Sequence, residues 1–253
     1  MGKMNYIRLV EVTSTNDYLK HYAKEMDDGQ NTVVIAESQK SGRGAGKNTW
    51  ESAAGKNLTF SILIHPVYIK PTEQFLISMA ISNAVTKTVA NLQWHQNAAM
   101  QCKVKWPNDV YIGKSKICGI LIENTLNKEG IKYSIIGVGL NVNQTEFFSD
   151  APNPGSLKHF LGHEVDREEL LIHLLDEFEK QMMTLAHGQE ETVREEYVDN
   201  LFRKEGMHTY RDKDGEFEAE IVQIEDDGHL ILRDNKGKLR RYGFKEVEFV
   251  IVR

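Results

Sequence analysis

Cysteine is nearly missing from this chain: Cys102 and Cys118 are the only two in 253 residues. Two cysteines argue against a disulfide scaffold, and no CxxC pair suggests a thiolate metal or redox site. Each falls in or beside a predicted strand and is expected to be a buried thiol. Long apolar runs are missing too. Nothing approaches the roughly 20 apolar residues that cross a bilayer, and the opening MGKMNYIRLVEV has no apolar signal core. A cytoplasmic protein with no membrane partner is the expectation. There is no basic excess. The formal net charge is −6, which disfavours broad binding to a phosphate backbone, so DNA is not an expected partner. Nine histidines show no metal-ligand spacing. His159 and His163, one helical turn apart, lack a ligand-rich context.

What remains is an ordinary mixture of 40% hydrophobic and 27% charged residues, enough for one large domain or a large and a small one. One stretch stands out, residues 39–50, QKSGRGAGKNTW. Gly42, Gly44 and Gly46 alternate with Arg43, Ala45 and Lys47. Glycine lets backbone amides approach an anion closely. Arg43 brings a fork of donors matched to carboxylate or phosphate, and Trp50 brings a flat aromatic face. Such a loop can close on a nucleotide or acyl phosphate; it can equally be a plain surface turn. It is not a Walker loop, which requires glycine at position 41 and serine or threonine at 48. Ser41 and Asn48 stand there.

Hydrophobic periodicity orders the chain. Residues 7–12 are apolar, and Thr13, Ser14, Thr15, Asn16 and Asp17 precede Tyr18, Leu19, Tyr22, Ala23 and Met26 at helical spacing. That is a helix N-terminus capped by Ser14 or Thr15, with spare hydroxyls and amides able to hold a small polar group. Residues 32–37 and 58–64 read as buried strands, the first leading straight into the Gly-rich loop. Pro71 and Thr72 open a helix through Val89 whose apolar face is expected to lie on the sheet. Strands follow at 104–106 and 110–112, parted by Pro107, Asn108 and Asp109. A hairpin turn at Gly113 and Lys114 leads to a strand at 116–123, where Gly119 marks close approach of a ligand or another backbone. Taken alone, Lys116 beside that turn reads as a solvated surface lysine. A strand at 133–142 carries Gly137, Gly139 and Asn141, and a turn at 153–155 comes after it. Asp166 and Glu169 form a capping box ahead of a helix bearing Leu171, Leu174, Leu175, Phe178, Met182 and Leu185. A further helix is predicted at 190–202. After Gly206, short strands at 217–224, 229–233, 238–242 and 247–252 predict a small SH3-like barrel.

Four separated stretches, GRG with a downstream tryptophan, KWPND, KICGIL and GVGLNVN, stand in an order and spacing that closely resemble the biotin–protein ligase family. The resemblance runs from Ser14, Thr15 and Asn16 to the small β domain. It implies an α/β catalytic domain at 1–205, related to class II aminoacyl-tRNA synthetases and lipoate ligases, and an SH3-like domain at 206–253. The implied chemistry has two steps. The biotin carboxylate attacks the α-phosphate of ATP, giving biotinyl-5′-AMP and pyrophosphate. A carrier lysine then attacks the mixed anhydride and releases AMP.

The resemblance assigns Ser14, Thr15, Asn16 and Gln39 to the biotin ureido ring, and Gly42, Arg43 and Gly44 to the biotin tail and α-phosphate. Lys116 is assigned to the carboxylate and α-phosphate oxygens, which reverses its surface reading. Gly119 would let the backbone lie along biotin. Trp50 would pack on adenine with Asn141 as a polar neighbour, and Lys47 joins the adenylate set. Arg43 and Lys116 are the expected catalytic pair. Asn108 and Asp109 stay open between turn and ligand roles. Magnesium is expected with ATP, its ligands unknown. The implied partner is the biotin carboxyl carrier domain of a biotin-dependent carboxylase, and a homodimer is left open. Because the pattern begins almost at Met1, the resemblance implies a monofunctional ligase without the DNA-binding helix-turn-helix domain of some members.

Two other readings stand beside it. A lipoate–protein ligase would carry an RRxxGGGxVxHD stretch, which is missing. A non-catalytic, biotin-sensing relative is opposed by the intact Arg43 and Lys116. The loop itself departs from the bacterial pattern GRGRxxR, with Ala45 and Asn48 in place of basic residues. The expectation is that Lys47, carried by the flexible Gly44 and Gly46, swings in to restore the charge.

Overall fold

The computed structural model describes residues 4–26, 29–46, 48–92, 101–149 and 153–251. Seven strands form one mixed sheet: β1 (Asn5–Val12), β2 (Thr32–Gln39), β3 (Leu58–Ile64), β4 (Cys102–Lys105), β5 (Asp109–Ile112), β6 (Ser115–Asn127) and β7 (Gly130–Leu140). Their order is β1-β2-β3-β7-β6-β5-β4. β1 and β2 run parallel, and every other neighbouring pair is antiparallel.

Side chains alternate between the two faces of a strand, and the alternation here separates two cores. Val33, Ile62, Ile64 and Ile136 join the large core on one face, while Val34, Leu63 and Ile135 join Leu19 and Ala23 on the other. Leu19 and Ala23 belong to helix α1 (Thr15–Glu25). Ser14 is its N-cap, its side chain accepting from Asp17 N, so Thr15 is free for other work.

The opposite face carries α2 (Phe75–Ala90), α4 (Arg167–Ala186) and α5 (Glu190–Asp199), which pack against one another. The helix expected from Pro71 begins as a 3-10 turn, Pro71–Glu73, and α2 follows it. It also buries nearly its whole circumference rather than one face, since Ser82, Asn83 and Thr86 are as enclosed as Ile77 and Val85. A helix clamped between a sheet and two other helices has no solvent side to keep polar. Asn83 pairs its amide with Gln181 and the Val193 carbonyl. Helix α5 stops three residues short of the predicted end, and α3 (Leu157–Leu161), capped by Ser156 and closed by left-handed Gly162, was not foreseen.

The second sheet holds β8 (His208–Asp212), β9 (Gly215–Ile224), β10 (Leu230–Asp234), β11 (Leu239–Tyr242) and β12 (Glu248–Phe249) in the order β11-β10-β9-β8-β12. β8 is additional to the strands predicted there. The expected SH3-like barrel is an open sheet among the described residues, because β12 has only two paired residues with which to close it. The two sheets share one hydrophobic core. Trp106 Nε1 donates to Gly228 O at 2.9 Å, and a Cβ on Gly228 would stand 2.7 Å from the Phe75 ring. Both cysteines are free and buried, and burial pushes both thiols up, away from reactivity. Among the described residues, no helix is long and apolar enough to cross a membrane.

Candidate active site

On the face that carries α1, strand register aligns two rows of small residues. Thr59, Gly139, Gly119 and Asp109 stand side by side on β3, β7, β6 and β5. Ser61, Gly137 and Leu121 form the neighbouring row. The glycines leave a shallow floor beneath a cleft of about 1390 Å³, walled by the Gly-rich loop on one side and by Lys245, Phe244 and Arg211 of the second sheet on another.

One end of this floor is a closed polar cluster. Gln39 Oε1 accepts from the Thr15 amide at 2.7 Å and its hydroxyl at 3.1 Å. The Ser61 hydroxyl lies 2.7 Å from Thr15 Oγ1 and 2.6 Å from Asn16 Oδ1. Asn16 Nδ2 donates to Glu123 Oε2 at 3.0 Å and to Leu121 O at 3.3 Å. Gly137 is required here, since its Cβ would fall 2.3 Å from Asn16 Oδ1. The four residues expected at the ureido ring, Ser14, Thr15, Asn16 and Gln39, thus meet in one place. Ser61 and Glu123 were missed. The signal for Ser61 was its hydroxyl inside the apolar run LTFSILI, two residues from Thr59 and on the same face as Leu63.

The other end gathers charge. Lys116 Nζ pairs with Asp109 Oδ1 at 2.6 Å and lies 5.6 Å from the centre of the Trp50 ring. Lys116 and Gly119 are three apart and would ordinarily face opposite ways. Tyr111 pairs with Lys116 while the adjacent Val110 pairs with Cys118, and the bulge at Ile117 turns both onto the floor. The open question over KWPND resolves into two roles. The Asn108 side chain bonds the Ile120 carbonyl and holds the turn, whereas Asp109 is the counter-ion of Lys116. Lys105 of the same motif also lines the cleft and was missed. Burial pushes its ammonium pKa down, with Asp109 opposing.

Trp50 lies flat on the glycine row, where a Cβ on Gly139 would stand 2.4 Å, and one on Gly119 2.9 Å, from its indole. Its Nε1 is buried without a hydrogen-bond partner, as is Asn141 Oδ1. Asn141 uses its amide to hold Gly155 O at 2.9 Å, so its oxygen is spare. Glu51 anchors the segment beyond by accepting from Ser149 N at 2.7 Å and Phe148 N at 3.0 Å. Burial raises its pKa, but these bonds outweigh that and hold the carboxyl below its usual range.

The Gly-rich loop is a narrow hairpin. Trp50 N donates to Gly42 O and Gly44 N to Asn48 O, both at 2.8 Å. The open nest of amides expected there is therefore partly spent on the loop itself. Gly42 is needed because a Cβ would meet Trp50 O at 2.4 Å. Arg43 Nη2 lies 2.6 Å from Glu123 Oε2 and 2.9 Å from Asp17 Oδ1. Burial raises the Glu123 pKa, but bonds from Asn16 and Arg43 outweigh it and hold the carboxyl below its usual range. Lys47, expected to restore the missing charge, lies outside the described residues.

Comparison with known proteins adds the following. The model of the biotin/lipoate A/B protein ligase family matches residues 7–141. The chain is 28% identical over 241 residues to the bifunctional ligase/repressor BirA of Bacillus subtilis, covering 92% of this chain and 70% of the relative. It is 26% identical over 215 residues to the biotin–[acetyl-CoA-carboxylase] ligase of Paracoccus denitrificans, covering 81% and 85%. Its fold is similar to that of the biotin protein ligase of Aquifex aeolicus solved with biotin and ATP. The TM-score is 0.78 at 22% identity, over 97% of this chain and 99% of that one.

Proposed function

The chain belongs to the biotin/lipoate A/B protein ligase family, and from that premise we infer that it is an ATP-dependent biotin–protein ligase. It joins biotin to ATP as biotinyl-5′-AMP with release of pyrophosphate, then passes the acyl group to a lysine amine with release of AMP. One observation carries the reading. A buried hydrogen-bonding cluster and a lysine–aspartate pair lie at two ends of one glycine floor, as needed to hold a polar ring system at one end and bring a carboxylate to a phosphate at the other.

In this reading the Ser14 hydroxyl and the Gln39 amide serve the ureido group, their geometry set by Thr15, Asn16 and Ser61. The acyl chain runs along Gly137 and on to Gly119 once the Trp50 indole, which covers Gly119 in the protein alone, shifts off it. Lys116 leaves Asp109 to hold the carboxylate and α-phosphate oxygens, where negative charge gathers in the transition state. Arg43 swings from Glu123 and Asp17 to the same oxygens, and Gly42 and Gly44 let the loop approach them. Asn141 Oδ1 accepts from the adenine amino group while Trp50 stacks on the ring. Holding both substrates removes much of the entropic barrier to their reaction.

Magnesium is expected with ATP. The trio Glu225, Asp227 and His229 brings its ligand atoms within 4.8 Å of one another, but Arg241 already bridges Glu225 and Asp227, so the trio does not fit the ion. The same reading gives residues 1–205 the chemistry and 206–253 an accessory role. It takes the biotin carboxyl carrier domain of a carboxylase as the acceptor, and puts the protein in the cytoplasm.

Pyrophosphate release from ATP, measured with biotin, with lipoate and with no acid, is the test. Release with biotin alone is expected. Release with lipoate would make the chain a lipoate ligase, and release with neither would leave a binding protein.

A further inference from the structure

The tip of the Gly-rich loop is held from the far end of the chain. Lys245 Nζ donates to Ala45 O at 2.7 Å across 200 residues of sequence. The ammonium lies close against Gly46, where a Cβ would stand 2.3 Å from that nitrogen, and Gly46 itself sits at φ 69°, a left-handed conformation that favours glycine. Lys245 itself sits at φ 68°, a left-handed conformation that a lysine keeps only where its surroundings impose it. The turn is tied by Gly243 N donating to Glu246 Oε2 at 2.7 Å and by Glu246 N donating to Gly243 O at 3.2 Å.

The charges around it differ in kind. Arg43 is neutralised by Asp17 and Glu123, and Lys116 by Asp109. The bond that positions Lys245 goes to an uncharged carbonyl, so its full positive charge remains at the cleft wall, beside a loop position that carries alanine.

Resting on the ligase reading above, we propose that Lys245 is a positioning residue for adenylation. It latches the loop tip to the second sheet, and its ammonium supplies the loop with a cation for the acyl adenylate that Ala45 does not. The latch acts on the nucleotide end of the cleft and leaves the Thr15, Asn16 and Ser61 cluster untouched.

The test compares full-length Lys245→Ala, Lys245→Gln and Lys245→Arg with wild type. Trypsin cleavage after Arg43, followed without substrates, reads the latch directly and should be several-fold faster in Lys245→Ala. In biotin-dependent pyrophosphate release, Lys245→Ala should raise the KM for ATP about tenfold, the order expected for a charge-assisted contact. The KM for biotin should stay within about twofold, and more biotinyl-5′-AMP should escape into solution. Lys245→Arg should restore most of both. Unchanged cleavage, ATP KM and escape in a folded Lys245→Ala protein would overturn the proposal, and so would equal loss of ATP and biotin binding. Should Lys245→Ala not fold, Arg and Gln carry the comparison: Arg near wild type with Gln impaired supports the latch, and equal behaviour overturns it. Faster cleavage alongside a wild type that releases no pyrophosphate would sink the ligase reading and leave the latch standing.

Discussion

At one end of the cleft, Thr15, Asn16 and Ser61 are at most 3% exposed and share hydrogen bonds of 2.6 and 2.7 Å. At the other, the Arg43 side chain is 38% exposed and its partners, Asp17 and Glu123, come from two separate elements. The contrast assigns work to each end. Breaking a buried network leaves polar groups unpaired at a cost of about 1–3 kcal/mol each, so the first end keeps one arrangement and selects a ligand by shape and donor pattern. An exposed ion pair contributes roughly 0–1 kcal/mol, so Arg43 can trade its carboxylates for a phosphate at little cost. Lys116 stands between these cases, about one-quarter exposed and held by one aspartate. The selective end is built in advance, and the reactive end is assembled from exchangeable contacts.

The sharpest way to break this comparison is to remove the cation at the reactive end. Lys116→Ala should lower biotin-dependent pyrophosphate release by roughly 10²–10³-fold, the scale of losing one preorganised charge-stabilising group, while biotin binding measured by calorimetry changes far less. Near-normal release from a folded variant would remove Lys116 from the chemistry. A smaller effect is expected from Gly139→Ala. Its Cβ would collide with the Trp50 indole, and overpacking costs about 1–3 kcal/mol, so binding of a non-hydrolysable ATP analogue should weaken roughly tenfold as Trp50 is displaced. Unaltered nucleotide binding together with a shifted tryptophan fluorescence would show that the position of Trp50 is irrelevant to ATP.

The smallest effect concerns Glu123, which touches both ends. Its folded pKa lies below the ordinary value of 4.5. Its contribution to stability is therefore present above pH 4.5 and is lost as pH falls through the depressed folded value. Glu123→Gln should lower the thermal midpoint at neutral pH by no more than roughly 2–4 °C, the shift that about 1 kcal/mol produces in a chain of this size. The difference from wild type should vanish in acid. A gap that is the same at acid and neutral pH would show that the carboxylate charge plays no part.

Much of the site was legible because its signals are local. A hydroxyl cap before a helical period marked Ser14, Thr15 and Asn16, and glycine inside apolar strands marked Gly119 and Gly139. What escaped depends on register or on distance along the chain. Ser61 matters only because β3 sets it against Gly137. Lys116, a surface lysine on its local pattern and placed at the site only through the family resemblance, faces the floor because of the bulge opposite Val110 and Tyr111. Arg43 meets Glu123 across 80 residues, and nothing near Ala45 points to Lys245. The full burial of α2 was hidden for the same reason, since Asn83 finds its partners on α4 and α5 and Ser78 bonds the Pro107 carbonyl, while Thr86 and Thr88 bond back within the helix. The short strand β12 and the open second sheet likewise follow from pairing, which no local pattern specifies.

Backbone hydrogen exchange, resolved by segment, tests the division between the two ends most directly. In the protein alone, the amides at 14–19 and 58–64 should exchange slowly and those at 42–46 fast, reflecting prior order at one end and shallow local opening at the other. Adding biotin with a non-hydrolysable ATP analogue should slow the 42–46 amides by a large factor and leave the other two segments almost unchanged. Protection gained chiefly at 14–19 and 58–64, or equal exchange at both ends before ligand is added, would contradict a cleft whose selective end is built in advance.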